Sequence, residues 1–301
     1  MNLPHPTRAA QTGAASIDAG QPAGTATGSA RDAGLAPDGQ RRVALVTGSA
    51  KRLGRMTATA LHAAGADVIV HHRNSPGEAA ELCAMLNARR PGSAIALQQP
   101  LDGRASCRDL ARRALRWRDR LDVLVNNASE FFRTPLQSTH GLHGDHRADS
   151  AIAEALAEEE ERALQLFASN CFVPAWLAIE LLPALRRTRG AIVNVQDISI
   201  ERPLPGYLFY TASKAALASV TRSLALEAAP EVRVNAVSPG SFDWPDGQFT
   251  EAERRKLEEA IPLARIGEGR DLAEAIVFLA LGAAYVNGVD LKVDGGQGLT
   301  R

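Results

Sequence analysis

The sequence is short of cysteine and carries no excess charge of either sign. Cys83, Cys107 and Cys171 are far apart and odd in number, a pattern that predicts neither a disulfide framework nor a metal site and favours a reducing compartment. Lys plus Arg and Asp plus Glu number 34 each, so composition indicates neither a nucleic-acid nor a membrane-surface protein. The sequence also lacks an apolar run close to the roughly 20 residues of a membrane span. We therefore expect a soluble, cytoplasmic protein.

Residues 1–40 contain few large apolar side chains and show neither helical nor strand periodicity. Such a segment cannot bury enough surface to offset the entropy lost on ordering. The continuous apolar core of a signal peptide is absent, and Asp18, Asp32 and Asp38 are atypical of a transit peptide. We predict a disordered tail over residues 1–40 and one folded domain over residues 41–301.

From residue 41 onward, short apolar segments alternate with helical patterns. The predicted strands cover residues 43–47, 66–71, 94–97, 121–125, 191–195, 232–237 and 290–293. The predicted helices cover residues 53–64, 78–89, 104–117, 163–185 and 210–228. This alternation is typical of a parallel sheet with helices on both faces. We predict a single α/β domain with a doubly wound, Rossmann-type sheet.

A glycine-containing turn, Thr47-Gly48-Ser-Ala-Lys-Arg52-Leu53-Gly54, lies between the first strand and the first helix. Such a turn lets the backbone approach a pyrophosphate, and the amides at the helix start attract its charge. An ordinary tight βα turn has similar glycines, but the strand–turn–helix context favours dinucleotide binding. Arg52 can reach a phosphate or an anionic ring.

The second predicted strand ends in His71-His72-Arg73-Asn74-Ser75. NAD-preferring sites carry a carboxylate here for the ribose hydroxyls, and this segment has none. Arg73 and Ser75 can instead bind the 2′-phosphate of NADP. A solvated basic loop is the alternative interpretation. We predict NADPH as the cofactor.

Tyr210 and Lys214 are four residues apart at the start of a predicted helix, and so share one face. A tyrosine hydroxyl has an unperturbed pKa near ~10, and a neighbouring ammonium favours its ionised form. This pair is common by chance on amphipathic helices. Its position after a glycine turn and a cofactor loop favours acid–base catalysis.

Together the glycine turn, Asn126-Asn127-Ala128, Asn170 and Tyr210-x-x-x-Lys214 resemble the short-chain dehydrogenase/reductase family over about residues 41–301. The resemblance implies that the Asn-Asn-Ala segment supports the sheet near the cofactor. It implies that Asn170 holds a proton-relay water and that Lys214 binds the nicotinamide ribose.

The family usually has serine thirteen residues before the tyrosine, and this sequence has Asp197. A serine donates a hydrogen bond to a carbonyl oxygen that becomes an alkoxide, whereas an ionised carboxylate repels that charge. Aspartate suits a substrate that presents N–H donors or a ring nitrogen awaiting a proton. Asp197 therefore favours reduction of a C=N bond over reduction of a simple ketone.

Within that family the sequence is most similar to pteridine reductases. The matching segments are the glycine turn, residues 71–75, Asn127-Ala-Ser129-Glu-Phe131-Phe132, Asp197 and the end Val293-Asp-Gly-Gly-Gln-Gly-Leu-Thr-Arg301. The resemblance implies that Phe131 stacks on a pterin, that Ser129 bonds cofactor or substrate, and that Arg52 faces both. Aromatic stacking suits a flat heteroaromatic ring, although loop packing also explains a phenylalanine pair.

The predicted site falls into three groups of residues. The catalytic residues are Asp197, Tyr210, Lys214 and Asn170. The cofactor-binding residues are Gly48, Arg52, Leu53, Gly54, His72, Arg73, Asn74, Ser75, Leu101, Asn127, Ala128, Ser129, Tyr210, Lys214, Pro239 and Gly240. The substrate-binding residues are Arg52, Ser129, Phe131, Asp197, Tyr210, Trp244 and Arg301.

The sequence departs from the family pattern at several points. Pro100 stands where the family often has an acidic residue that contacts adenine, and the nearest carboxylate, Asp102, is two positions further on. The substrate loop from Ser241 through Trp244 does not match the family sequence. Residues 134–160 form an insertion. Its side chains His140, His143, Asp145 and His146 could suggest a metal, but no second cluster completes a site. We predict a solvated, mobile loop and no metal.

Three functions agree with this sequence to different extents. The leading hypothesis is NADPH-dependent reduction of oxidised or 7,8-dihydropterins, with dihydrofolate as an additional substrate. The second is a generic carbonyl or 3-oxoacyl ketoreductase, which Asp197 and Phe131 disfavour. The third is an NADP sensor without turnover, which has no need of Tyr210, Lys214 and Asn170. The resemblance also implies a homotetramer in which Arg301 approaches the pocket of an adjacent subunit.

Overall fold

The computed structural model describes residues 34–134, 149–243 and 250–300. Seven strands form one sheet in the order β3-β2-β1-β4-β5-β6-β7, and every neighbouring pair is parallel. The strands are β1 (Val43–Val46), β2 (Asp67–His72), β3 (Ala94–Gln98), β4 (Val123–Asn126), β5 (Ala191–Val195), β6 (Arg233–Pro239) and β7 (Asp290–Val293). The predicted doubly wound α/β fold is confirmed, with strand ends within about two residues of those expected.

Helices cover both faces of the sheet. They are α1 (Arg52–Ala63), α2 (Pro76–Arg89), α3 (Arg104–Arg118), α4 (Asp149–Phe167), α5 (Val173–Thr188), α6 (Leu208–Glu227), α7 (Glu251–Glu259) and α8 (Gly269–Val277). Alternate strand residues point to opposite faces, so Ala44 and Val46 pack under α1, α2 and α8. Val43 and Leu45 pack under α3, α5 and the end of α6. The two cores hold the sheet rigid beneath the loops at its carboxyl edge.

The helix α4 begins inside the segment that was predicted to be a loop. That prediction is wrong from Asp149 onward, because Ala, Leu and Glu dominate residues 151–166 and all three have high helix propensity. A π-helical turn, Ala168–Phe172, joins α4 to α5. Residues 135–148, with His140, His143, Asp145 and His146, lie outside the described residues.

One continuous helical stretch, Ala157–Thr188, is long and apolar enough to cross a membrane by length and composition. This differs from the sequence-based expectation, and the packing explains why. Leu177, Leu181 and Leu185 are fully buried in the core beside the sheet. Core helices of soluble proteins pass the same composition test, so the stretch is weak evidence for a membrane.

The folded part of the chain begins before residue 41. Residues 34–40 form a turn in which the Arg42 N–H donates to the Gly34 oxygen at 2.8 Å, and Ala36 is buried. Asp38 forms an ion pair with Arg120. The predicted tail therefore extends too far by these residues, because a short turn that pairs with the chain entering β1 needs little apolar surface. Residues 1–33 lie outside the described part of the chain.

Candidate active site

The carboxyl ends of β1 and β4 are neighbours where the chain changes direction across the sheet, which is where doubly wound sheets bind ligands. A cavity of about 610 Å³ opens there. Fifteen predicted site residues line it: Gly48, Arg52, Leu53, Gly54, Arg73, Leu101, Asn127, Ala128, Ser129, Phe131, Asp197, Tyr210, Lys214, Pro239 and Gly240. The structure therefore brings most of the predicted site together.

The glycine turn packs too closely on the next loop to tolerate side chains. A Cβ on Gly54 would lie 2.4 Å from the Gly48 oxygen and 2.7 Å from Asn127 Nδ2. Gly48 has a φ of +63°, a left-handed conformation that glycine adopts readily. Asn127 Nδ2 in turn donates to the Thr47 oxygen at 2.9 Å. The turn thus packs tightly against the loop after β4, and it forms one wall of the cavity.

Arg52 occupies the position at which the family has its middle glycine. Its φ is +48°, so a non-glycine residue is held in the left-handed region. The side chain is exposed and lines the cavity. Arg52 thus adopts a backbone conformation that glycine adopts readily, and it adds a cation at the cavity wall.

His71 supports the glycine turn, a role that the sequence did not suggest. Its Nδ1 accepts a hydrogen bond from the Gly48 N–H at 3.0 Å, and its Nε2 lies 2.9 Å from the Gln99 oxygen. Because Nδ1 is the acceptor, the ring is neutral with its proton on Nε2. Burial lowers the pKa of His71 to about 4. The ring thereby links the turn after β1 to the ends of β2 and β3.

Among residues 72–75, at the end of β2 and after it, only Arg73 lines the cavity. Arg73 forms an ion pair with Glu130 at 2.8 Å. Ser75 is instead the residue that precedes α2, and Asn74 is exposed. His72 is buried and faces the side of the sheet opposite to His71, because strand side chains alternate. His72, Asn74 and Ser75 were predicted to contact the cofactor, but they do not line the cavity.

Tyr210 and Asp197 form the centre of the site. The Tyr210 hydroxyl donates to Asp197 Oδ2 at 2.5 Å, and the Ser199 N–H donates to Asp197 Oδ1 at 2.7 Å. Lys214 Nζ donates to the Val195 oxygen at 2.9 Å and lies 5.9 Å from the centre of the Tyr210 ring. Both oxygens of the carboxylate are therefore bonded, and one of them contacts the Tyr210 hydroxyl.

The pKa of Tyr210 differs from the expectation that Lys214 favours its ionised form. Burial and the nearby Asp197 carboxylate raise this pKa well above its ordinary value. Burial also lowers the pKa of Lys214 to about 8, although Asp197 opposes that shift. The expectation fails because the carboxylate contacts the hydroxyl directly, whereas the ammonium is bonded to a backbone oxygen. Tyr210 is thus held in its protonated form.

Asn170 lies in the π-helical turn between α4 and α5, a distortion that often marks functional sites. Its Oδ1 accepts hydrogen bonds from the Glu130 N–H at 2.9 Å and from the Ser129 hydroxyl at 3.1 Å. Its Nδ2 donates to the Glu130 oxygen at 3.0 Å and to Ser213 Oγ at 3.1 Å. Asn170 is fully buried. It connects the loop after β4 to α6 rather than lining the cavity itself.

Phe131 extends an aromatic surface beside Tyr210. Its ring stacks on Tyr207 with centres 4.8 Å apart and meets the edge of Tyr210 at 4.7 Å. Phe131 remains 56% exposed, so part of the ring is open to a flat ligand. Phe132 instead contacts the guanidinium of Arg162. Sequence reasoning missed Tyr207, whose only signal was its place three residues before Tyr210.

Several further residues line the cavity. They are Lys51, His71, Glu130, Ser169, Val173, Val195, Gln196, Ser241, Phe242, Asp243, Leu257 and Ile266. Ser241, Phe242 and Asp243 belong to the loop before Trp244 that the sequence singled out, and the others were not predicted. Most are adjacent in sequence to predicted residues, while Leu257 and Ile266 come from the long connection between β6 and β7. The predicted substrate residues Trp244 and Arg301 lie outside the described residues.

Comparison with known proteins agrees with this geometry. A family model described as enoyl-(acyl carrier protein) reductase matches residues 48–298. Pteridine reductase 1 of Leishmania tarentolae is 39% identical over 290 residues, covering 86% of this chain and 97% of that protein. A 3-oxoacyl-[acyl-carrier-protein] reductase of Synechocystis is 32% identical over 259 residues, covering 85% of this chain and 96% of that protein.

The glycine cradle, the buried Tyr210–Lys214 pair and the arginine after β2 fit the nicotinamide dinucleotide that this family uses. The match of the family model over most of the chain, together with these relatives, settles the assignment. The chain is an oxidoreductase of the short-chain dehydrogenase/reductase family.

Proposed function

We propose that this protein reduces pterins, taking oxidised or 7,8-dihydropterins to the tetrahydro form, with dihydrofolate as an additional substrate. The observation that carries the proposal is the contact between Asp197 Oδ2 and the Tyr210 hydroxyl at 2.5 Å. A carboxylate at this place accepts N–H donors of a ring and repels a developing alkoxide. The similarity to pteridine reductase 1 supports the same substrate class.

NADPH is the proposed cofactor, and it supplies the hydride when bound. Arg73 provides a charge for the 2′-phosphate, and the bare backbone at Gly48 and Gly54 receives the pyrophosphate. Lys214, which is buried beneath the site, would bond the ribose next to the nicotinamide. Tyr210 and Asp197 hold a transferable proton on the cavity side, and the exposed part of Phe131 offers a stacking surface for the pterin.

A generic ketoreductase remains the second candidate, because a 3-oxoacyl-[acyl-carrier-protein] reductase is also among the relatives. An NADP-binding sensor without turnover is the third. The test follows NADPH oxidation with a dihydropterin, with a β-ketoester, and without substrate. We expect turnover with the dihydropterin at least tenfold faster than with the ketoester. Faster ketoester reduction supports the second candidate, and binding without turnover supports the third.

We further propose a cytoplasmic homotetramer. Cys83, Cys107 and Cys171 are unpaired and buried, as suits a reducing compartment. Leu164 on α4, Ile179 on α5 and exposed leucines at both ends of α6 give apolar surface beyond what the sheet covers. Closed symmetry is usual among homo-oligomers, and pairing of these helices would cover that surface.

A further inference from the structure

Arg73 already has a carboxylate partner across the cavity. Its Nη1 lies 2.8 Å from Glu130 Oε1, and both residues line the cavity wall. Arg73 follows β2 and Glu130 follows β4, and β1 lies between these strands in the sheet. The ion pair therefore extends from one side of the dinucleotide groove to the other.

Glu130 is the fixed member of this pair. Its backbone N–H and oxygen are both bonded to the side chain of Asn170, at 2.9 Å and 3.0 Å, and Asn170 is fully buried. The Glu130 side chain is 25% exposed, whereas that of Arg73 is 60% exposed. Any anion that approaches Arg73 in the groove therefore meets a carboxylate whose backbone cannot move away easily.

We propose that Glu130 sets the selectivity of this protein between phosphorylated and unphosphorylated dinucleotides by competing with the 2′-phosphate for Arg73. The inference rests on the proposed function, in which Arg73 binds that phosphate. A phosphate beside Arg73 either displaces Glu130, leaving its carboxylate without a cation, or shares one guanidinium with it. In the first arrangement the carboxylate loses its cation, and in the second two anions lie within a few ångströms of each other. Both arrangements weaken binding of the phosphate. Glu130 thus weakens NADPH binding while leaving NADH binding unchanged.

The effect of Glu130 on NADPH affinity should be modest, because the side chains of Arg73 and Glu130 are both partly exposed to solvent. Two charges a few ångströms apart at a wet surface interact weakly, because water and salt screen them. The Glu130 carboxylate repels a phosphate with two negative charges about twice as strongly as it would repel a single negative charge. Removing the Glu130 charge should therefore strengthen NADPH binding by about three- to tenfold at low salt.

The experiment measures ligand affinity by calorimetry on the full chain, without turnover. Adenosine 2′,5′-bisphosphate and 5′-AMP isolate the phosphate contribution, and NADPH and NADH repeat the comparison with complete cofactors. Glu130→Gln removes the charge and keeps the backbone bonds to Asn170. We expect tighter binding of the bisphosphate and of NADPH, unchanged binding of 5′-AMP and NADH, and a gain that shrinks in 0.5 M salt.

Glu81→Gln is the matched control, because Glu81 also forms an ion pair with an arginine, Arg55, at 2.7 Å but on α1 and α2 outside the cavity wall. It should leave all four affinities unchanged. Unchanged or weaker binding of the bisphosphate to Glu130→Gln would overturn the inference, because Glu130 would then orient Arg73 or play no part.

Arg73→Ala separates this inference from the cofactor proposal. A preference for the bisphosphate that Arg73→Ala abolishes and Glu130→Gln does not increase overturns only the role of Glu130. Equal binding of the bisphosphate and 5′-AMP by both the unmodified protein and Glu130→Gln overturns the NADPH proposal and the inference together.

Discussion

Tyr210 is buried against Asp197 and Lys214. Its hydroxyl is protonated at neutral pH even at the ordinary tyrosine pKa of about 10, and burial and the Asp197 carboxylate raise that pKa further. Tyr210→Phe removes that proton but almost none of the buried ring surface. We expect kcat to fall by about 10²–10⁴, the usual effect of losing a general acid. The Kd for NADPH, measured by fluorescence titration, should change little. Retention of most of the activity would show that the proton comes from another group.

The charge of Asp197 should matter more for pterins than for carbonyls. We expect Asp197→Ser to lose pterin reduction while keeping or raising any ketoester activity, because serine donates to a developing alkoxide and a carboxylate does not. Both rates are measured in the same preparation. Asp197→Asn is the matched variant, since its amide oxygen can still accept the Ser199 N–H without the charge. An equal loss of both activities in both variants would indicate a purely structural residue.

At the scale of elements, His71 joins the glycine turn to β2 and β3, and its protonation opposes folding. The unfolded chain takes up the proton near a pKa of 6.5, whereas the folded chain takes it up only near about 4. Neutral His71 therefore contributes its full stabilisation of the folded state above pH 6.5. This contribution falls by about 1.4 kcal/mol per pH unit as the pH drops from 6.5 toward 4.

His71→Gln tests this role, because a glutamine side chain can accept from Gly48 and donate to Gln99 without titrating. We expect NADPH affinity at pH 7 close to that of the unmodified protein. Urea unfolding at pH 7 and pH 5 should show a smaller loss of stability in the variant, by about 2 kcal/mol. The buried His62, whose pKa is also lowered to about 4, is present in both proteins and cancels. Equal acid sensitivity would show that His71 does not stay neutral.

For the whole molecule, the start of the folded domain can be located by truncation. A chain beginning at Gly34 should unfold at the same urea concentration as the full chain. A chain beginning at Arg41 loses the buried Ala36 and the exposed ion pair between Asp38 and Arg120, so it should unfold at a lower urea concentration than the chain beginning at Gly34. Equal stability of the two shortened chains would show that residues 34–40 contribute nothing.

The proposed tetramer depends on apolar helix surface. Ile179 on α5 is 46% exposed, so Ile179→Glu should place a charge in the subunit interface and shift sedimentation toward smaller species. Leu263→Glu is the control, because Leu263 is 67% exposed outside α4, α5 and α6. A protein that sediments as a monomer before any substitution would contradict the proposal.

The order of most strands and helices was determined by local sequence. Apolar periodicity is a property of neighbouring residues, and it predicted the seven strands, the helices α1, α2, α3, α5 and α6, and the glycine turn at Gly48. It did not predict α7 and α8. The helix from Asp149 was missed because a nearby His-rich and Gly-rich segment drew the whole insertion into one loop. Its own Ala, Leu and Glu content already favoured a helix.

Contacts between distant segments were decided only by the tertiary structure. The pairing of Arg73 with Glu130, the support of Gly48 by His71 and the stacking of Tyr207 on Phe131 join residues 23 to 76 positions apart. The same is true of the pKa of Tyr210. The sequence predicted that Lys214 would favour the ionised hydroxyl, whereas in the structure burial and Asp197 raise the pKa. The physical reason is that burial and charge proximity depend on distances in space, and those distances exist only once the parallel sheet brings the ends of β1, β2, β4 and β5 to one edge.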